Sequence, residues 1–264
     1  MIFLKTEDEI KLLRESNQLV GRTLAELARH IVPGVTTLHL DQVAESFIRD
    51  NGAEPTFKGF PNHKGKPYPA SICTSINEVV VHGIPNSQTL REGDILSIDC
   101  GVKMNGFCGD SAYTFAVGQI SSEKQQLLKI TKDALYNAID VARVGNRIGD
   151  IGHVVQTLCE SYGYGVVREF TGHGIGQSMH EDPFVPNFGY KGTREQLLVG
   201  LCIAIEPMIT LGNRNIKMLT DDWSVVTKDS KPAAHFEHTI AITQSGPIIL
   251  SSFEELENVL REKA

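Results

Sequence analysis

Two parts of the chain follow the same plan at a fixed distance, and this restricts the fold more than any other feature. Leu40, Val43 and Phe47 recur at helical steps and stop at Gly52; Ile151, Val154 and Leu158 do the same and stop at Gly163, each 111 residues after its counterpart, as 40 to 151 and 52 to 163. A longer helix precedes each of these. Thr6-Glu7-Asp8-Glu9 has the form of a capping box, and Ile10, Leu13, Val20, Leu24, Leu27 and Ile31 then keep an apolar stripe until Pro33-Gly34. Ser122 with Gln125 opens the matching unit, in which Leu128, Thr131, Leu135, Ala138 and Ala142 hold the helical step until Gly145. Past the helices, VHGIP and SMHEDP place His82 and Pro85 in the same H-x-x-P relation as His180 and Pro183, and both halves turn strand-rich. Two copies are too few for a solenoid. The reading is one domain, residues 1–264, built from pseudo-repeats of about 1–118 and 119–264. ILSIDCGV, AYTFAVG, LCIAIEP and HTIAIT are its strands, which predicts an α+β arrangement: a mainly antiparallel sheet shared by both halves, helices covering one face, and a site at the seam.

Composition narrows the function classes. A chain of 264 residues with 41% hydrophobic content can bury a substantial core. The start, MIFLKTEDEI, has no apolar stretch behind a basic one, and charge interrupts every apolar run well before the length of a membrane span, so neither a secretion signal nor a membrane anchor is expected. Cys73, Cys100, Cys108, Cys159 and Cys202 are odd in number and lack CxxC spacing. That argues against a disulfide framework or a thiolate zinc site and for a reducing cytoplasm. A net charge of -7 without a lysine or arginine block leaves no nucleic-acid footprint.

The strands carry acids where strands rarely do. ILSIDCGVKMNGFCGDSAYTFAV reads as a hairpin turned at Asn105-Gly106. A two-residue loop there pairs Met104 with Phe107, which sets Asp99 opposite Ala112 and Gly101 opposite Asp110. Asp99 and Asp110 then share a face as diagonal neighbours, roughly 7–8 Å apart. Facing inward from an apolar hairpin, two carboxylates repel and lose solvation unless a cation lies between them. The second half repeats the oddity with Glu206 at the end of LCIAIEP and Glu237 inside HFEHTIAI. A lone strand acid usually faces solvent; four at related places in a duplicated fold point to a site.

EFTGHGIGQSMHEDP supplies imidazoles. Gly172, Gly174 and Gly176 make a helix costly there, so a loop or extended ribbon is expected, and GHGIGQ does not fit the phosphate-binding G-x-G-x-x-G. One of its histidines, His173 or His180, is the natural partner of the four acids. Carboxylates with one imidazole suit a pair of divalent ions, Mn(II), Fe(II), Co(II) or Zn(II), and a metal pair is a hydrolytic device. His235 and His238, three apart on one strand, would point to opposite faces and form no site.

SINEVVVHGIP, DCGVKMNGFCGD, EFTGHGIGQSMHEDP, IEPM and FEHTI together resemble the type I methionine aminopeptidases of the short bacterial kind, over nearly the full length. The resemblance implies the pita-bread fold and two divalent metal ions held by Asp99, Asp110, His173, Glu206 and Glu237, with Asp110 and Glu237 bridging. It further implies removal of the N-terminal methionine from nascent proteins, with a small second residue preferred, through attack of a metal-bridging hydroxide on the first peptide bond. Glu206 would move the proton, His180 would stabilise the oxyanion, and His82 would contact the substrate backbone. Phe57, Phe60, Cys73 and Trp223 would surround the methionine side chain. The partners so implied are nascent polypeptide N-termini, with room for a transient ribosome contact; a monomer is expected, without nucleic acid or membrane. Three departures stand out: Asn62 to Ala70 is longer than the family leads one to expect, Met179 stands where an aromatic residue is common, and Gly101 replaces a threonine found in some relatives. Proline-directed relatives, aminopeptidase P and prolidase, carry an extra N-terminal domain, for which a first helix beginning at about Thr6 leaves no room. A peptide-binding protein of the same fold would lose ligands, and all five are present.

Overall fold

The computed structural model describes residues 1–263; residue 264, the last of the expected second half, lies outside them. The first part of the chain runs α1 (Glu7–His30), α2 (Thr37–Asp50), β1 (Glu54–Pro55), β2 (Ile72–Ile76), β3 (Val79–Val81), β4 (Ile95–Met104) and β5 (Phe107–Ala116). The second opens alike, with α3 (Ser122–Val141) and α4 (Ile148–Ser161). There follow β6 (Gly165–Val166), β7 (Gly172–Gly174), β8 (Glu181–Val185), β9 (Cys202–Ile205), β10 (Met208–Thr210), β11 (Ile216–Met218), β12 (Val225–Thr227), β13 (Ala233–His235), β14 (His238–Thr243), β15 (Gly246–Ile249) and a closing helix α5 (Glu254–Lys263).

The helices start and pack for identifiable reasons. At the head of α1 the Thr6 hydroxyl accepts from the Glu9 backbone N–H while the Glu9 carboxylate accepts from that of Thr6, satisfying two amides that have no partner within the helix. The cap of α3 is Ser121 and not Ser122, its hydroxyl accepting from Lys124 N. Leu13, Val20, Leu24 and Leu27 are fully buried along α1, which lies against β4 and β5, while α3 lies against β10 and β13. In the shorter helices the buried line is Leu40, Ala44 and Ile48, matched by Ile151, Val155 and Cys159; Val43, Phe47, Val154 and Leu158 border it, half-buried. Packing has turned each of these helices slightly from the orientation its largest side chains suggest. α5, with Leu256 and Val259 buried and α1 as its neighbour, has no counterpart in the sequence reading.

Each ladder between named strands is antiparallel. The single sheet expected to be common to both halves is divided: only the small sheet β11-β12-β3 joins them, β12 pairing antiparallel with β3, while the larger sheets keep to one half each. β1, β2 and β5 flank β4 in a four-stranded sheet, and β15-β14-β9-β7-β8 form a five-stranded one. The two meet along a seam held mainly through side chains. Ser111 Oγ donates to Glu237 O at 2.6 Å, Thr239 Oγ1 to Asp110 O at 2.9 Å and Thr114 Oγ1 to His235 O at 2.7 Å, while His235 N donates to Thr114 Oγ1 at 2.9 Å and backbone bonds run from Glu237 N to Ala112 O at 2.9 Å and from Cys108 N to Gly176 O at 2.8 Å. Beneath the seam, Leu24, Ile98, Phe115, Leu135, Ile203 and Ile240 belong to one apolar core reaching into both parts.

The hairpin adopts the anticipated register: Met104 faces Phe107, Gly101 faces Asp110 and Asp99 faces Ala112. Asn105 at φ 53° and Gly106 at φ 84° make the turn, a backbone that matches the twist of the flanking strands and that asparagine and glycine adopt most readily.

Candidate metal centre and substrate cleft

One cleft of about 810 Å³ gathers the acids and the histidines. Asp99 and Asp110 enter it from the β4–β5 hairpin, and His173 from the middle of β7, where it pairs with Phe184 of β8. Glu206 enters just beyond the end of β9. Glu237 enters from the break between β13 and β14, not from within a strand, so that its side chain turns out of the ladder. The glycine-rich stretch is the expected extended ribbon: it descends as β7 and returns as β8, and His180, immediately before β8, brings its ring to 4.3 Å from that of His173. His82 lines the same cleft in a left-handed backbone conformation, φ 59°, uncommon outside glycine and often a mark of functional positions.

The electrostatics of this cleft call for a cation. No lysine or arginine lines it among the described residues. Burial pushes the Asp110 carboxyl up to about 8. It raises Asp99 well above the usual carboxylate range with help from the Asp110 charge, Glu206 with help from Asp99 and Asp110, and Glu237 with help from Asp110 and Glu206. Asp99 Oδ1, Asp110 Oδ1 and Glu237 Oε1 are buried without a hydrogen-bond partner. His173 donates from Nδ1 to Gly174 O at 2.9 Å, which leaves the Nε2 lone pair facing Asp110 Oδ2 at 3.6 Å and Glu206 Oε1 at 3.7 Å. Three electron-pair donors meet there beyond hydrogen-bond reach. Ligand atoms about an ion at ~2.0–2.2 Å stand ~3 Å or more from one another, so the gap is of the right order for a metal. Asp110, His173 and Glu237 each offer an atom within 4.8 Å of the others. The donor set therefore fits a hard or borderline divalent ion.

The remainder of the cleft is apolar, with Phe57, Phe60, Cys73 and Trp223 all on its wall. The Phe60 ring meets His180 edge-on at 5.1 Å, and His82 stands between Phe170 at 5.2 Å and Trp223 at 6.2 Å. Burial, then the neighbouring imidazole, lowers His82 and His180 to about 4, so both are neutral rings at pH 7, each with one N–H to donate.

The chain matches the sequence profile described as Metallopeptidase family M24 over residues 11–244. The chain belongs to metallopeptidase family M24. Within this family it is 49% identical over 255 residues to the methionine aminopeptidase of Clostridium acetobutylicum, covering 96% of this chain and 100% of the relative. It is 48% identical over 251 residues to methionine aminopeptidase 1 of Bacillus subtilis, covering 95% and 99%. The crystal structure of methionine aminopeptidase from Rickettsia prowazekii superposes with a TM-score of 0.91 at 40% identity, covering 96% of this chain and all of that one. The pita-bread fold anticipated from the motifs is the fold of this M24 chain.

Two of the departures noted in the sequence prove to be one. A Cβ placed on Gly101 would stand 2.3 Å from Thr56 Oγ1, 2.5 Å from Met179 Cε and 2.8 Å from Phe57 Cε1, so the glycine and Met179 fill the same space. Sequence reasoning missed other neighbours of the M24 site. Tyr68, Val81, Phe170, Thr171 and Met208 also line the cleft; being ordinary apolar or small residues, they carried no signal. His235 and His238 belong to different strands and not to one. His238 turns away, hydrogen-bonded to Ser251 Oγ at 2.7 Å and Tyr136 OH at 3.2 Å, whereas His235 Nε2 faces Glu206 Oε2 at 3.7 Å. The two imidazoles thus have separate surroundings, and His235 borders the cleft.

Proposed function

We propose that this M24 enzyme is a methionine aminopeptidase that takes the first residue from polypeptide N-termini and prefers a small second residue. The observation that carries the reading is the meeting of five metal-type donors, two neutral histidines and an apolar pocket in one cleft, supported by relatives of that name at 48–49% identity over nearly the whole chain. Asp99, Asp110, His173, Glu206 and Glu237 would hold two divalent ions, of Mn(II), Fe(II), Co(II) or Zn(II) type. Bound there, such ions make water nucleophilic at neutral pH and polarise a carbonyl.

The protein's own groups do the rest. Glu206, whose carboxyl is raised by burial, is suited to take a proton from water and pass it to the departing amine. His180 donates its N–H to the carbonyl oxygen as negative charge develops, in a wall dry enough to make that bond count. His82, fixed in its left-handed turn, holds the substrate backbone. Phe57, Phe60, Cys73 and Trp223 receive the thioether side chain, where aromatic and sulfur contacts are favourable. The free α-amino group is received at the Asp99 end, which restricts cleavage to the first bond.

Residues 1–118 and 119–264 act in this reading as the duplicated halves of one catalytic domain. The described residues include no helix long and apolar enough to cross a membrane. All five cysteines are free and buried, which suits a reducing cytoplasm. The deciding experiment is turnover of Met-Ala-Ser, Ala-Ala-Ser and Ala-Pro by metal-stripped protein resupplied with each ion. Cleavage confined to the methionyl peptide is expected; preference for Ala-Pro, or no turnover with any ion, would refute the reading.

A further inference from the structure

A buried ion pair lies beside the cleft and takes no part in the chemistry of the site. Lys5 and Glu181 keep only 6% and 10% of their side chains exposed, and Lys5 Nζ donates to Glu181 Oε2 at 2.5 Å and to Phe3 O at 3.0 Å. Glu181 is the residue after His180. Its other oxygen, Oε1, accepts the backbone N–H of Ser178 at 3.3 Å, so this carboxylate closes the turn in which His180 sits.

The pair packs against the turn between β7 and β8. A Cβ on Gly176 would stand 2.5 Å from Glu181 Oε1 and 2.6 Å from Lys5 Cε, so the backbone of the turn lies directly against both side chains. Lys5 is fixed in its own right: its backbone N–H donates to Gly200 O at 2.7 Å, two residues before β9, the strand that adjoins β7. The early part of the turn is tied to the β4–β5 hairpin, with Cys108 N donating to Gly176 O at 2.8 Å and Lys103 Nζ to Gln177 O at 3.0 Å. The part next to His180 is tied by the ion pair. In the cleft the His180 ring meets other rings, Phe60 and His173, so its direction is set chiefly by the backbone that carries it.

We propose that Lys5 and Glu181 are positioning residues for His180: the buried pair fixes the turn that carries the imidazole and so aims its N–H at the carbonyl oxygen of the substrate. The assignment rests on the aminopeptidase reading. A buried pair often adds no stability over apolar residues of similar volume, whereas loss of one partner strands a charge. What the pair supplies is placement. A donor acts on a developing oxyanion only if its neighbours hold it to within ~0.5 Å, and charge-assisted bonds are the stronger kind for that purpose.

Three variants separate placement from stability. Lys5→Met and Glu181→Gln each lower kcat for Met-Ala-Ser ~10-fold, with KM changed less than ~3-fold and the Mn(II) content by elemental analysis equal to that of the parent. In Lys5→Met/Glu181→Leu no charge is stranded, so the melting temperature returns toward the parent value while kcat stays low; this variant also serves should the single ones fail to fold. The sharpest comparison is made in the His180→Ala background. There the donor is gone, and adding Lys5→Met lowers kcat less than ~2-fold further, because changes that act through one group are not additive. If Lys5→Met costs the same factor with and without His180, or if kcat recovers together with the melting temperature in the double variant, the positioning role is refuted. A parent that does not cleave Met-Ala-Ser with any ion overturns the aminopeptidase reading and this assignment with it.

Discussion

His173 and His180 share a ribbon, and their rings lie 4.3 Å apart, yet their surroundings divide the work. His173 has its Nδ1 proton committed to Gly174 O and presents a bare Nε2 to Asp110 and Glu206, the arrangement of a ligand. His180, edge-on to Phe60 and kept neutral by burial, presents an N–H donor to an apolar wall. His173→Ala is therefore expected to arrive depleted of metal. His180→Ala is expected to keep its metal by elemental analysis but to lose ~10²–10³ in kcat, the usual cost of removing one oxyanion donor, with KM less affected. A metal-depleted His180→Ala beside a fully loaded His173→Ala would reverse the two roles.

The β4–β5 hairpin is the element that makes the centre, because its register alone decides whether Asp99 and Asp110 share a face. A slip of one residue would send one set of side chains to the wrong side. Gly106→Ala forces a Cβ into φ 84°, and a loss of ~1–2 kcal/mol in urea unfolding is expected. Activity should survive, since ten residue pairs hold the register beyond the turn; a collapse of activity without loss of stability would show that the turn does more than fix pairing. This hairpin was legible because its signal is local: Asn-Gly sits between two apolar runs, and counting from it places both acids. The helices were legible through their apolar period in the same way. Features made by distant partners were not. Nothing near Ser111 or Thr114 announces that their hydroxyls reach residues 235–237, and nothing in the sequence says that the halves keep their larger sheets separate and share only the β3–β12 pairing. The acids of the cleft stood out because charge in apolar strands is anomalous. Tyr68 did not, because an aromatic residue in a polar loop is unremarkable until its neighbours are known.

For the molecule as a whole, the centre is a charge problem that pH and metal solve in opposite ways. Burial raises Asp110 to about 8, so between ~4 and 8 the metal-free native state holds a proton that the unfolded chain, with a pKa of ~3.9, has released. That contribution is complete below the unfolded value and is lost as pH rises through the folded one. The buried histidines act the other way below ~6.5, since His82, His173 and His180 are lowered to about 4 and the unfolded chain takes up protons first. Metal-free protein should thus show a falling melting temperature from pH 6.5 to 8.5. With saturating Mn(II) the slope over the same range should reverse, because the ligands bind only when deprotonated; equal slopes in the two states would mean that these groups are not the site. The seam adds a mechanical consequence. Asp110 and Glu237 stand on opposite banks of it, and the banks are joined mainly by hydroxyl bonds and by the amides of His235 and Glu237. A cation drawn between those carboxylates works as a rivet, so the amide protons along residues 235–239 should exchange with solvent together, quickly in chelator and slowly once the ion is restored.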